Sequence, residues 1–276
     1  ILNSILRVKN IKYKKIKSNN MSLTNIIRGI LNIQKEINLK ELPSQGLFYQ
    51  DDFKLSIRKA NIEDIIEYEY NYEKDDLGLV ITRIKKIVER GTILSENYSF
   101  SDIKSIDVVF LFLEIVKFTN GNPVLLTYFD DIKGSEESIS FDASNFNYFK
   151  LSNKIMSKYD KNSKEFIIDG FKYSAPSIGA ENCITQFLIS KSNDANAIKY
   201  NNYSYDFLYF LGHKKNITFS EIDNLIQIFN FELQENELKS IKKITKELSI
   251  ISRYSLIRDS KIIDVSAKID LEKIWK

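Results

Sequence analysis

Apolar side chains recur along residues 22–40 at helical spacing: Leu23, Ile26, Ile27, Ile30, Leu31, Ile33 and Ile37 share one broad face, and Ser22 can cap its start. Pro43 stops this pattern, because the residue before a proline is pushed out of helical backbone. Pro43 and Gly46 bracket a turn. After it Phe53, Leu55 and Ile57 alternate with Lys54, Ser56 and Arg58, the period of a half-buried strand. Helical spacing returns over 61–70, where Asn61 and Asp64 can form a reciprocal cap and Ile62, Ile65, Ile66 and Tyr70 form the apolar face. It returns again over 77–90 (Leu77, Val80, Ile81, Ile84, Ile87, Val88), with Gly91 placed as a C-cap glycine. Residues 106–118 are apolar on nearly every side, which predicts a helix at the centre of the core.

Past Asn120-Gly121-Asn122-Pro123 the period shortens. Strands are predicted over 124–129 and 138–141 around a loop at 130–137, and extended structure over 145–173, where Asp169-Gly170 signals a tight hairpin. A helix over 180–191 closes this region, and the polar, Asn-rich stretch 192–204 reads as a linker. The remainder reads as helical: 205–211, then a helix through Asn230 opened by the capping box Thr218-Phe219-Ser220-Glu221, then 234–256. The expected fold class is α+β, with N-terminal helices around a short sheet (22–122), a β-rich middle module (123–191) and a helical C-terminal region (205–276).

The net charge of +3 changes the picture only through its location. Arg7, Lys9, Lys12, Lys14, Lys15 and Lys17 stand in the first 20 residues without a single acid, so the rest of the chain carries −3. Residues 1–21 read as a basic leader, disordered or accessory, and a nucleic-acid role for it is the alternative reading. No apolar run reaches the roughly 18 residues that a membrane helix needs, and one Cys (Cys183) with one His (His213) cannot build a Cys/His zinc site or an internal disulfide. The nine glycines are scattered, with no phosphate-cradling loop. His213 is expected in an exposed loop, Cys183 in an inert apolar helix, and the acidic pairs Asp51/Asp52, Asp75/Asp76, Asp130/Asp131 and Glu136/Glu137 in solvated loops. No catalytic, cofactor or metal site is therefore expected, and the Tyr-rich stretches around Tyr68 and Tyr203 read as core or interface aromatics.

The order Leu42-Pro43-Ser44-x-Gly46-Leu47-Phe48-Tyr49, Asp52-Phe53, then a strand reaching Ile57-Arg58 resembles the baseplate hub subunit family of contractile-tailed, T-even-type bacteriophages. The run Ile106-Asp107-Val108-Val109-Phe110-Leu111-Phe112-Leu113 is similar to that family's aspartate followed by a Phe/Leu-rich helix. The likeness covers about residues 40–130. Some relatives carry Cys pairs after this helix in the manner of a small zinc ribbon; residues 124–145 contain none. The resemblance implies a non-enzymatic structural or assembly protein of the virion tail, present in the host cytoplasm during assembly, whose partners are other tail proteins. It takes no cofactor, small-molecule substrate or membrane. Leu42, Pro43, Ser44, Gly46, Phe48, Tyr49, Phe53 and Arg58 are the candidate latch and interface residues.

Overall fold

In a computed structural model the chain divides into two units, Ile1–Ile33 and Gln34–Lys276, and the described helices and strands all belong to the second. The structure describes residues 33–70, 77–130, 133–141, 146–148, 151–191, 206, 209–249, 254–258, 261–264 and 269–270. The helix expected over 22–33, the basic leader, Asp75/Asp76, Asp131 and the linker 192–204 lie outside the described residues.

The described fold mixes helices with small antiparallel sheets, as an α+β chain should. Strands β1 (Gln34–Glu36), β2 (Leu55–Arg58) and β3 (Thr92–Leu94) form the first sheet, with Lys35 opposite Ile57 and Leu55 opposite Leu94. Around it lie α1 (Ile62–Tyr70), α2 (Leu77–Gly91) and α3 (Val108–Asn120). Helix α3 is the core's axis: Leu111, Phe112, Leu113, Ile115 and Val116 are wholly buried, and Gly121 ends it in left-handed backbone, φ 68°. The hairpin β4 (Val124–Asp130) and β5 (Ser135–Phe141) closes this core with Leu126 and Phe141.

A second core lies under the meander β7 (Tyr159–Asp160), β8 (Glu165–Ile168) and β9 (Phe171–Tyr173), which follows the short β6 (Phe146–Tyr148) and the single-turn α4 (Asn153–Met156). Asp169 and Gly170, at φ 52° and 81°, make the predicted hairpin turn between β8 and β9. A third core joins α5 (Ile178–Ser190), α6 (Phe219–Gln227) and α7 (Glu235–Leu248) through Ile184, Phe187, Ile222 and Ile241, with Phe229 from the turn that follows α6. Strand β10 (Tyr254–Arg258) pairs with both β6 and β11 (Lys261–Asp264), and β12 (Ile269–Asp270) pairs with β4.

Several local expectations are met. Asn61 and Asp64 exchange side-chain-to-backbone hydrogen bonds of 2.8 and 3.1 Å, and Thr218 and Glu221 form their capping box. Others need correction. Residues 34–36 are strand and 39–41 a 3-10 turn, so the helical pattern does not continue to Lys40; antiparallel pairing with β2 and the 2.5 Å Lys35–Glu114 ion pair hold this segment extended. On α1 the expected polarity is partly inverted. Ile62 and Ile66 are 60% and 53% exposed, whereas Asp64 is wholly buried with Arg90 2.8 Å away.

Gly91 is not a left-handed cap. It is the last residue of α2, where a Cβ would come within 2.6 Å of Ile115 Cδ1, so glycine there permits close packing on α3. Glu136 and Glu137 belong to β5 instead of a loop, paired with Phe129 and Tyr128. The C-terminal region is not wholly helical: β10, β11 and β12 follow α7, because the runs Tyr-Ser-Leu-Ile-Arg at 254–258 and Lys-Ile-Ile-Asp at 261–264 find partners in β6 and in each other.

Candidate functional site

The stretch from Asn38 to Phe53 folds as a chain of tight turns. Asn38 caps the first by accepting from the Lys40 amide at 3.1 Å, and the amides of Gln45, Leu47 and Tyr49 then bond the carbonyls of Leu42, Ser44 and Gly46. Gln45 and Gly46 are both left-handed, at φ 54° and 72°. The coil places successive side chains on opposite sides. Leu42, Tyr49 and Phe53 enter the first core and Phe48 enters the second, where its ring meets Phe166 at 5.9 Å. Tyr49 stacks on Phe53 at 4.3 Å, and Phe53 meets the edge of Tyr98 at 5.0 Å. The latch is thus the seam between two cores. Tyr159 adds a hydrogen bond from its hydroxyl to the Leu47 carbonyl.

The seam is fastened at one carboxylate. Asp107, the wholly buried residue preceding α3, accepts from the Ser44 amide (2.8 Å, Oδ1) and from the Tyr49 hydroxyl (2.7 Å, Oδ2), while the Lys104 amide donates to that hydroxyl at 3.0 Å. Burial raises the Asp107 carboxyl to a pKa of about 6, although the Tyr49 and Ser44 hydrogen bonds and the Lys104 charge pull the other way. Burial also raises Tyr49, reinforced by the Asp107 charge, which keeps the phenol a donor.

Beside this joint is a polar cavity of about 90 Å³, lined among others by Tyr49, Lys104, Glu165, Ser177 and His213. Lys104 is buried and its pKa falls to about 8, mainly by burial and against the pull of Asp107, Asp102 and Glu165; its Nζ donates to the Gly212 carbonyl at 3.0 Å. Glu165 is buried with His213 Nδ1 at 3.3 Å and Lys172 Nζ at 3.8 Å. The His213 side chain is 40% exposed, as a loop residue should be, and burial lowers its pKa against the pull of the Glu165 charge. The cavity's serines are already committed as donors: Ser177 Oγ to Lys214 O at 2.6 Å, Ser174 Oγ to Ala175 O at 3.4 Å and Ser163 Oγ to Asp160 Oδ2 at 2.9 Å. Chemically the arrangement is an ionic joint between the latch, the β7–β9 meander and the turn at 211–215.

Of the predicted residues, Leu42, Ser44, Phe48, Tyr49 and Phe53 are brought together and buried. Pro43 and Gly46 shape the backbone between them. Arg58 does not join; at the end of β2 its guanidinium donates to the neighbouring Lys59 carbonyl at 3.1 Å. Since the latch side chains are spent inside the molecule, a partner would meet other surfaces. Asp107, Lys104, Glu165 and His213 complete the site, although no periodicity or spacing marks them for it. A lone acid between Ile106 and Val108 at the head of an apolar helix is the one sequence signal for Asp107.

Of the acidic pairs, described members find partners: Asp51 with Lys164 at 2.7 Å, Asp52 with the Tyr98 hydroxyl, Glu137 with Lys133 at 3.1 Å. Cys183 is half-buried on α5 against the third core. Among the described residues no group of three His, Cys, Asp or Glu side chains could hold a metal ion, and no helix is long and apolar enough to cross a membrane.

Gly46 gives the latch its direct test. Its φ of 72° disfavours any L side chain, and a Cβ would sit 3.2 Å from Leu39 Cβ. Gly46→Val is expected to lose roughly 2 kcal/mol in urea unfolding. An unchanged midpoint would mean the latch does not organise the fold. No family model matches the chain, and comparisons with curated proteins and with solved structures return no match.

Proposed function

We propose that this chain is a non-enzymatic structural or assembly protein of the baseplate hub region in a contractile phage tail, working by protein–protein packing. One observation carries the reading. The two stretches that resemble the hub family, the Leu-Pro-Ser-x-Gly latch and the aspartate-led apolar helix, are distant in sequence yet meet at the Asp107 carboxylate, through Ser44 and Tyr49. A joint of this kind gives both stretches a shared physical purpose, which is to hold two cores in one rigid body. Rigid, glycine-poor, aromatic-rich bodies suit a component whose task is to present fixed surfaces to neighbours. The virion tail is the proposed location, with the host cytoplasm as the place of assembly.

The test is affinity capture after co-expression of the full chain with the products of its neighbouring genes. A stable complex with a tail protein is expected, and capture of none of them refutes the proposal. The nucleic-acid alternative would instead give DNA affinity that falls steeply with salt and vanishes when residues 1–20 are removed.

A further inference from the structure

The polar cavity beside the Asp107 joint, of about 90 Å³, is lined by two buried side chains of opposite charge, Lys104 and Glu165, which are 4% and 5% exposed. Burial lowers the Lys104 pKa to about 8 against the pull of Asp107, Asp102 and Glu165, so the two charges sense each other. Yet no ion pair joins Lys104 to Glu165 among the described residues. Lys104 is held by an antiparallel bridge to Ser177, and Glu165 is paired with Asp160 in the meander, so neither backbone is free to carry its charge to the other.

The fold leaves both charges short of partners. An ammonium has three donors, and Lys104 Nζ uses one of them, on the Gly212 carbonyl at 3.0 Å. The Glu165 carboxylate accepts no hydrogen bond among the described residues, and its cations, His213 Nδ1 and Lys172 Nζ, stand at 3.3 and 3.8 Å. The other charges that line the cavity are already matched: Asp102 with Lys215 at 3.3 Å, and Lys164 with Asp51 at 2.7 Å. Two buried opposite charges, each incompletely satisfied and kept apart, are costly until something bridges them.

We propose that this cavity binds a small zwitterion of the class of glycine, whose carboxylate takes the spare donors of Lys104 and whose ammonium meets Glu165. An anion alone would face the Glu165 charge, and a cation alone would face Lys104. A molecule that carries both charges on neighbouring atoms answers each of them. The volume admits only a compact molecule, and the aromatic walls Phe53 and Tyr98 exclude water from the two charges and so strengthen their pull. Gln50 and His213, both exposed, open the cavity to solvent. The ligand is a component of the joint and undergoes no reaction there, and the inference is independent of the assembly reading.

The experiment titrates the full chain with glycine and follows the ring protons of His213 by proton NMR. His213 lines the cavity and is the one histidine of the chain, so its signal reports this site alone. Acetate and methylamine, at matched pH and ionic strength, each carry half of the ligand's charge. A saturable shift in the millimolar range is expected with glycine and with neither control. Glu165→Gln removes the charge that turns acetate away: glycine should bind about tenfold more weakly or worse, and acetate should now give a saturable shift. That gain is one a misfolded chain could not show, and the wild-type comparison stands whether or not the variant folds. The inference is overturned if glycine gives no saturable shift, if acetate or methylamine matches it in the wild type, or if folded Glu165→Gln binds glycine unchanged or still turns acetate away.

Discussion

Gly179→Ala is expected to destabilise the protein by more than about 3 kcal/mol, where the same exchange in an ordinary helix would stabilise it by up to about 1 kcal/mol. Gly179 lies in the first turn of α5, and a Cβ there would stand 2.2 Å from the Lys215 carbonyl oxygen and 2.8 Å from its C and Cα. These are backbone atoms, so no side-chain rotation relieves the clash. The turn at 211–215 is also not free to retreat. The Ser177 amide and Lys104 Nζ both donate to Gly212 O, at 3.1 and 3.0 Å, and Ser177 Oγ holds Lys214 O. Moving it would break the bonds that bring His213 to Glu165. Urea unfolding reads the effect, and a midpoint equal to or above that of the wild type would show that the turn does not pack on α5 as described.

The second large effect is at Asp107, and its pH dependence gives it away. Asp107→Ala leaves the Ser44 amide and the Tyr49 hydroxyl as buried donors without an acceptor, a loss of about 3 to 5 kcal/mol at pH 7. Asp107→Asn retains an acceptor for Ser44 and removes the buried charge, so it costs less. The folded pKa of about 6 is above the ordinary 3.8, so the folded state holds this proton more tightly than the unfolded chain. The contribution is therefore fully present below pH 3.8 and is lost as pH rises through about 6. Measured against Asp107→Asn, wild-type stability should fall by on the order of 3 kcal/mol between pH 4 and pH 7. A difference that is flat with pH would mean that Asp107 is not buried as a charged group. Lys104 acts in a separate window: its folded pKa of about 8 is below 10.5, so its contribution is present above pH 10.5 and lost as pH falls through 8.

What was legible in the sequence is what short range decides. The alternation at 53–58, the caps at Asn61 and Thr218 and the Asp169-Gly170 turn each rest on a few neighbouring residues, and each is where the pattern puts it. What escaped depends on residues far apart. Gln34–Glu36 is extended because β2 offers it a partner, and Tyr254–Arg258 is extended because β6 does, roughly a hundred residues earlier. On α1, the burial of Asp64 goes with a partner on another helix, Arg90 of α2, while Ile62 and Ile66 stay exposed. The latch was visible as a turn, but its fastening was not: no local rule says that a serine amide at 44 and a phenol at 49 will share a carboxylate at 107. Lys104 and Glu165 likewise look like surface charges in sequence, and only the meeting of the latch, the meander and the turn at 211–215 buries them.

The same joint gives the functional reading its physical content. Under the proposed function, the latch and the Asp107 joint serve to fix two cores together, and partners are met on other faces of the molecule. The most direct measurement is quantitative mass spectrometry of gradient-purified contractile tails and of the unassembled tail proteins from the same cells. The account predicts this chain at a fixed ratio to hub proteins in purified tails if it is structural, or bound to them in the unassembled pool if it assists assembly. Its absence from both would contradict the account.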